Sequence, residues 1–371
     1  MAITIAEINT KNIEHNLQKI RNKTKNNYIL AIVKANAYGH GIIEVSKFLR
    51  TQNVEYLGVA LIHEAVKIRQ AGDNGKILVM VSPEPQDADL FIDYNIETAF
   101  SSFEILKSFE KRVIERDVII YGHLYVDTGM HRDGMAIEDA VPFMDYVKDK
   151  PNIKITGLMT HLATADMPDI AFGNKQLERF ENVRKELDSL GHKFKYIHCS
   201  NSAGVLNYPS AHYNMVRPGI SIYGMMSNKK MAEEMDLKPV LSWKSKVMHC
   251  VNVPKGDYIG YSNSPAYPYF AKSDMVVAVV PLGYADGLPR SLTNKFQCLI
   301  NGKRFNSVGS ICMDEFMVDI TDSDVKQGDE VVIIGKQGDE EITIYELAEL
   351  AHSIPYERTA TISDRVKRVL V

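Results

Sequence analysis

The chain has 371 residues, 45% of them hydrophobic and 24% charged, with a formal net charge of −4. That length exceeds most single cores, so two domains are expected, and the ordinary balance of apolar and charged residues excludes intrinsic disorder. There is no basic excess and no Lys/Arg run interleaved with aromatics, which argues against a nucleic-acid partner.

The first residues, MAITIAEINTKN, lack the basic start and apolar core of a signal peptide. No apolar run reaches the roughly 20 residues of a membrane-spanning helix, so no membrane partner is expected. Cys199, Cys250, Cys298 and Cys312 lie far apart without paired spacing. This fits a reducing cytoplasm and does not support a metal site.

In chain order, residues 12–22 place Ile13, Leu17 and Ile20 on one helical face. Apolar or β-rich runs then recur at 29–33, 56–60, 77–81, 97–100, 119–126, 155–160, 194–198 and 214–216. Helix-like segments at 42–49, 64–70, 102–116 and 174–190 lie between them. Strands alternating with helices predict a parallel sheet, and eight of them suit an α/β TIM barrel. Residues 227–239 (SNKKMAEEMDLKP) are charged and poor in large apolar residues other than methionine, and predict a boundary between domains of 1–235 and 236–371. Beyond it, runs at 243–253, 275–281, 296–300, 315–320 and 330–334 are rich in Val, Ile and aromatics, interrupted by one helix at 343–352. The second domain is expected to be mainly β.

The stretch AIVKANAYGHG, residues 31–41, ends an apolar run on Lys34. An amine at the mouth of a pocket is partly desolvated, which favours the neutral nucleophile that forms Schiff bases. Small neighbours (Ala35, Asn36, Ala37) leave room for a flat, bulky group. The plain alternative is a surface lysine after a buried strand. A barrel demands reactive residues where strands end. Lys34 follows the first strand, DTGMHR (127–132) the fifth, His161 the sixth, Asn201 and Ser202 the seventh, and RPGI (217–220) the eighth. The loops after strands seven and eight are the usual phosphate site of this fold, and Gly219 permits close backbone approach. An ordinary helix cap at Ser200 or Asn201 would explain part of that pattern equally well. In the second domain Tyr261 and Tyr284 stand among glycines and small polar residues, where turn packing is the simpler explanation.

The motifs AIVKANAYGHG, VDTGMHR, GLMTHLATAD, NSAG, MVRPGISIYG, IGYS, PLGYADG, ICMDEF and IPYE together resemble the two-domain bacterial alanine racemases, in this order along almost the whole chain. The resemblance implies a barrel that binds pyridoxal 5′-phosphate, joined to a β domain in a head-to-tail homodimer with shared active sites. It also implies that the first strand packs on the β domain. Lys34 would bond the cofactor and serve as base on one substrate face; Tyr261 of the partner subunit would serve the other. Tyr38, Asn201, Ser202, Gly219, Ile220 and Tyr356 would hold the phosphate. Arg217 would meet the pyridine nitrogen and Arg132 the phenolic oxygen, with His161 beside the tyrosine. Arg132, Met313, Asp314 and Tyr284 would contact the small amino-acid substrate, the last three from the partner chain. A tyrosine near its ordinary pKa of about 10 is a weak base at neutral pH, hence the need for help from His161 and Arg217. Tyr125 stands where many members carry a carbamylated lysine, and its hydroxyl, chloride or water would take that role. The SNS segment after Tyr261 is also unusual. The aromatic at Tyr356 favours L-alanine, racemised to D-alanine for peptidoglycan, as substrate. Serine or another amino acid, a different reaction on the same cofactor such as decarboxylation, and a non-catalytic cofactor-binding protein are the alternatives.

Overall fold

The computed structural model describes residues 3–25, 27–261 and 268–371. Strand β1 (Ile5–Ile8) precedes eight parallel strands: β2 (Tyr28–Ile32), β3 (Tyr56–Val59), β4 (Lys76–Val79), β5 (Glu97–Phe100), β6 (Ile120–Tyr125), β7 (Ile153–Met159), β8 (Tyr196–His198) and β9 (Met215–Val216). Each pairs with the next from β2 to β8, and β9 returns to β2. The remaining seam, between β8 and β9, is bridged by the Arg217 amide donating to Ser200 O at 2.8 Å. The Ile197 amide, donating to Asn214 Oδ1 at 2.8 Å, adds a second tie. All eight predicted runs therefore become staves of one nearly closed barrel.

Period-2 alternation sends one face of each stave inward. Leu30, Ile32, Tyr56, Leu78, Ala99, Tyr125, Met159, Tyr196 and Met215 fill the barrel interior. The opposite faces pack under the helices, whose apolar stripes are buried: Ile13, Leu17 and Ile20 of helix Thr10–Thr24 are examples. That helix starts because Asn9 accepts the Asn12 amide, and stops at Lys25 in the left-handed conformation. Helix Phe103–Glu115 begins the same way, with Ser102 accepting the Ile105 amide.

The rest of the chain contributes β10 (Leu241–Lys246), β11 (His249–Val253), β12 (Met275–Val280), β13 (Gln297–Ile300), β14 (Lys303–Val308), β15 (Phe316–Asp319), β16 (Glu330–Gln337), β17 (Glu340–Ile342) and β18 (Lys367–Leu370). Their sheet runs β11-β12-β15-β14-β13-β16-β10-β1-β18, with β17 on β16. β1 lies antiparallel to β10 and parallel to β18, so the first strand belongs to the second sheet. The predicted run 243–253 is two strands, because Val247 leaves the ladder to exchange hydrogen bonds with Asp329 and Gly328. β14, β17 and β18 went unpredicted: KRFNSV, EEI and KRVL are too charged to read as strands and owe their form to cross-strand pairing. Within 227–239 a short helix, Lys229–Glu234, is capped by Asn228.

Candidate active site

The C-terminal mouth of the barrel opens into a cavity of about 600 Å³. Lys34, Tyr38, Arg132, His161, Asn201, Ser202, Arg217, Gly219, Ile220 and Tyr356 all line it.

Lys34 is presented by an unusual backbone. Ala35, Asn36, Ala37 and Tyr38 all have φ between 51° and 54°, a complete left-handed turn without glycine. Each such residue costs roughly 1–2 kcal/mol, so something must hold them. Glu64 accepts the Ala35 amide at 2.6 Å, and Asn36 Oδ1 accepts the Ile42 amide at 2.8 Å. The turn closes on itself through Gly39 N–H to Ala35 O and Gly41 N–H to Asn36 O. The small residues of KANAYG thus serve the turn as well as the cavity: Ala37 is buried in the core and only Ala35 of the pair reaches the cavity wall. Lys34 Nζ has no hydrogen-bond or ion-pair partner among the described residues. Burial, and then the Arg132 charge, lower its pKa.

Arg217 follows the neighbouring stave, β9, and is buried. Its Nη1 donates to His198 Nδ1 and to His198 O, both at 2.8 Å. Its Nη2 donates to Thr160 O at 2.7 Å, Cys199 O at 3.2 Å and His161 Nδ1 at 3.3 Å. Arginine only donates, so both histidine Nδ1 atoms are acceptors, and in the neutral rings the proton sits on Nε2. His198 Nε2 then donates to His123 Nδ1 at 2.8 Å, which puts the His123 proton on Nε2, 3.6 Å from Glu97 Oε2. Glu97 is held by Lys76 at 2.8 Å and the Tyr56 hydroxyl at 2.9 Å. Burial keeps His198 and His123 uncharged and pushes His161 down to about 3. A column of neutral imidazoles of one polarity therefore runs down the barrel from Arg217 to a single carboxylate. His161 turns an Nε2 donor, backed by Arg217, away from the arginine.

The loop carrying Arg132 is wound around Asp127, whose carboxylate accepts the amides of Gly129, Met130 and His131. Burial pushes this carboxyl upward, but the three amides hold it below its ordinary value. Arg132 lies 3.4 Å from Asp133. Tyr125 is buried beneath it; burial raises the phenol, while the charges of Arg217 and Arg132 oppose that rise.

Around Gly219 the walls close tightly. A Cβ there would lie 2.5 Å from the Tyr38 hydroxyl. Ser202 Oγ accepts the amides of Gly219 and Ser221, at 3.0 and 3.2 Å, and Asn201 caps helix Ser202–Asn207 through the Gly204 amide. The N-cap reading of Asn201 is thus correct, and the residue lines the cavity as well. The hydroxyls of Tyr38 and Tyr356 have no hydrogen bond among the described residues; burial raises both, Tyr356 to about 12. The Ile220 amide opens a 3-10 turn and has no acceptor within it.

These groups fit pyridoxal phosphate. An unpartnered amine stands at one wall, and neutral phenols and the Ile220 amide gather at a small-residue corner suited to a phosphate. The Arg217 Nε, whose neighbours on the same guanidinium are fully engaged, is left to meet a ring nitrogen.

Tyr261, Tyr284, Met313 and Asp314 do not line this cavity. They gather on the other domain: the amides of Tyr284 and Ala285 donate to Cys312 O and Met313 O at 3.0 Å, and Ser310 Oγ donates to Tyr261 O at 2.8 Å. Tyr261, Tyr284 and Met313 are large and exposed. The SNS segment, 262–264, lies outside the described residues. Sequence reasoning missed Glu64, Glu97, His123, His198 and Arg368. His198 ends a strand in register with the other candidates and carried a signal; the rest are brought near by folding alone.

The sequence profile "Alanine racemase, N-terminal domain" matches residues 8–227, and "Alanine racemase, C-terminal domain" matches 240–370. The chain is 37% identical over 368 residues to the alanine racemase of Carboxydothermus hydrogenoformans, covering 99% of each. It is similar to the solved alanine racemase of Clostridium difficile (TM-score 0.93, 33% identity, 100% of this chain and 96% of that one). It is also similar to the histidine racemase of Leuconostoc mesenteroides (TM-score 0.92, 29% identity, 100% and 98%). No helix among the described residues is long and apolar enough to cross a membrane. With two profiles spanning nearly its full length and relatives above 30% identity end to end, this chain belongs to the alanine racemase family of enzymes.

Proposed function

We propose that the protein racemises alanine using bound pyridoxal 5′-phosphate, with each active site shared between two subunits. The observation that carries this reading is the presence in one cavity of an unpartnered, desolvated Lys34 and an Arg217 whose two Nη atoms are engaged while its Nε stays available. When bound, the cofactor supplies an electron sink that acidifies the substrate α-carbon. The chain's own residues do the remaining work. Lys34 would hold the cofactor aldehyde until the substrate amine takes its place, and the freed Lys34 amine would then move a proton at the α-carbon on one face. Arg217, which cannot readily give up a proton, hydrogen-bonds the ring nitrogen without protonating it and so limits side reactions. Tyr38, Tyr356, Ser202, Asn201 and the Gly219–Ile220 backbone bind the phosphate, and Arg132 orients the phenolic oxygen. Inverting the centre needs a second proton carrier on the opposite face. Tyr261 of the partner subunit takes that part, its phenol oxygen stabilised by the His161 Nε2 donor. Tyr284, Met313 and Asp314 of the partner subunit complete the substrate pocket.

The separation of Tyr261 from the cavity of its own chain, and its exposure, support the shared site and hence a homodimer. The reading divides the chain into barrel (1–235) and β domain (236–371). It places the enzyme in the cytoplasm, making D-alanine for peptidoglycan. Tyr356 in the cavity wall favours alanine, although a structural likeness to a histidine racemase keeps a larger amino acid in play as the second reading. The test is to incubate the cofactor-loaded protein with L-alanine in deuterium oxide and score α-deuteration and handedness together. Deuterated D-alanine is expected. Deuterated alanine that stays L would refute the second base, and no exchange would refute alanine as the substrate.

A further inference from the structure

The strained turn that presents Lys34 is gripped from the far end of the chain. Arg368, in β18, donates Nε to Gly39 O at 2.9 Å, while its other nitrogens bind the carbonyls of Ile362, Ser363 and Val366 at 2.5–2.7 Å. Four backbone acceptors converge on one guanidinium, whose planar fork no other side chain reproduces. Three residues before β18, Asp364 Oδ1 accepts Asn36 Nδ2 at 3.1 Å. Thr359 O sits directly over Gly39, where a Cβ would meet it at 1.8 Å. Arg365, one of the three residues between Asp364 and Arg368, points elsewhere. Arg365 Nη2 donates to Asp314 Oδ1 at 2.7 Å, and its Nε lies 3.5 Å from Asp286 Oδ1. Asp286 in turn accepts the Gly283 amide beside Tyr284.

We propose that residues 363–368 are a two-headed positioning clasp: Arg368 and Asp364 fix the left-handed turn behind Lys34, and Arg365 fixes the loops that carry Tyr284 and Asp314. One short segment thereby joins the lysine half of a site to the surface that the same chain offers to its partner. The proposal rests on the reading of Lys34 as the cofactor residue. Arg365 is half exposed and its ion pairs are screened by solvent, so the Arg368 head bears more of the load.

Hydrogen exchange on the full-length, cofactor-loaded protein tests it, because the amides of Gly39, His40 and Gly41 are bonded within the turn. Arg368→Ala should accelerate exchange at 39–41 by about tenfold or more, with β5 and β6 unchanged. Arg368→Lys should recover only part of the protection, since one amine cannot serve four carbonyls. Arg365→Ala should leave 39–41 as they are and instead accelerate 284–285. Unchanged exchange at 39–41 in Arg368→Ala, or a uniform rise in every peptide, would overturn the clasp. If that variant does not fold, Asp364→Ala carries the same local readout. Exchange is read without turnover, so a protein inactive on alanine that shows the local response would strike the proposed substrate and leave the clasp standing.

Discussion

Replacing Gly39 with alanine tests how the turn behind Lys34 is held. Gly39 has φ +84°, and an added Cβ would lie 1.8 Å from Thr359 O and 2.6 Å from its carbonyl carbon. Ordinary contact begins near 3.4 Å, so the turn and helix Pro355–Ala360 must separate by about 1.6 Å. That separation breaks the Arg368 bond to Gly39 O and strains the Asn36–Asp364 bond. The positive φ costs about 1 kcal/mol, the lower end of the range for a left-handed residue, the Arg368 hydrogen bond roughly 1.5–3, and straining the solvent-exposed Asn36–Asp364 bond roughly 0.5–1.5. The sum is about 3–5 kcal/mol. With an unfolding entropy of about 2 cal/mol/K per residue, that lowers the melting temperature of a chain this size by about 4–6 °C. Gly72→Ala is the control: its φ is +95° but nothing lies within 4 Å of the new methyl, so about 1 kcal/mol and about 1 °C are expected. Scanning calorimetry of both variants decides the matter. Equal shifts for the two would show that Thr359 yields freely and that the turn is not clamped from the second domain.

Burial holds His40 down at about 4, with Arg368 adding to the effect, and its Nδ1 faces the carbonyls of Ala37 and Tyr38. Its folded pKa lies below the unfolded value near 6.5, so the unfolded chain binds more protons between these limits and stability falls as pH drops from about 6.5 to about 4. His40 accounts for up to about 3 kcal/mol of that fall, and His40→Gln should flatten the melting-temperature profile in this window; parallel profiles would refute it. Tyr261→Phe should slow α-proton exchange from one enantiomer by roughly 10²–10⁴-fold while cofactor affinity stays within about twofold, as followed by NMR and fluorescence titration; near-normal exchange removes the residue from its role. Mixing inactive Lys34→Ala and Tyr261→Phe subunits should restore about a quarter of parental activity, since half of the dimers are mixed and each has one intact site. No recovery after subunit exchange is confirmed would rule out a shared site.

Eight staves and the residues at their ends were legible from the chain alone, because period-2 burial and the break from apolar to polar are local properties. Lys34, Arg132, His161 and Arg217 could be picked out as residues following strands, and the barrel then gathers them around one cavity. The left-handed turn was not legible. Of Ala, Asn, Ala and Tyr only the asparagine adopts that conformation readily by itself, and the turn persists because Glu64, Thr359, Asp364 and Arg368 over-determine it from other elements. The column from Arg217 to Glu97 was hidden for a similar reason: its members are scattered over 120 positions and acquire their tautomers only from one another. Strands β14 and β18 are likewise products of pairing, since charged sequences become strands when a neighbouring edge supplies the hydrogen bonds. What the sequence by itself determined, then, was the alternation of elements and the chemical types at strand ends. Conformational strain, tautomer order and the grip of the second domain on the lysine turn were decided by the tertiary structure, because each depends on groups that no local interaction brings into contact.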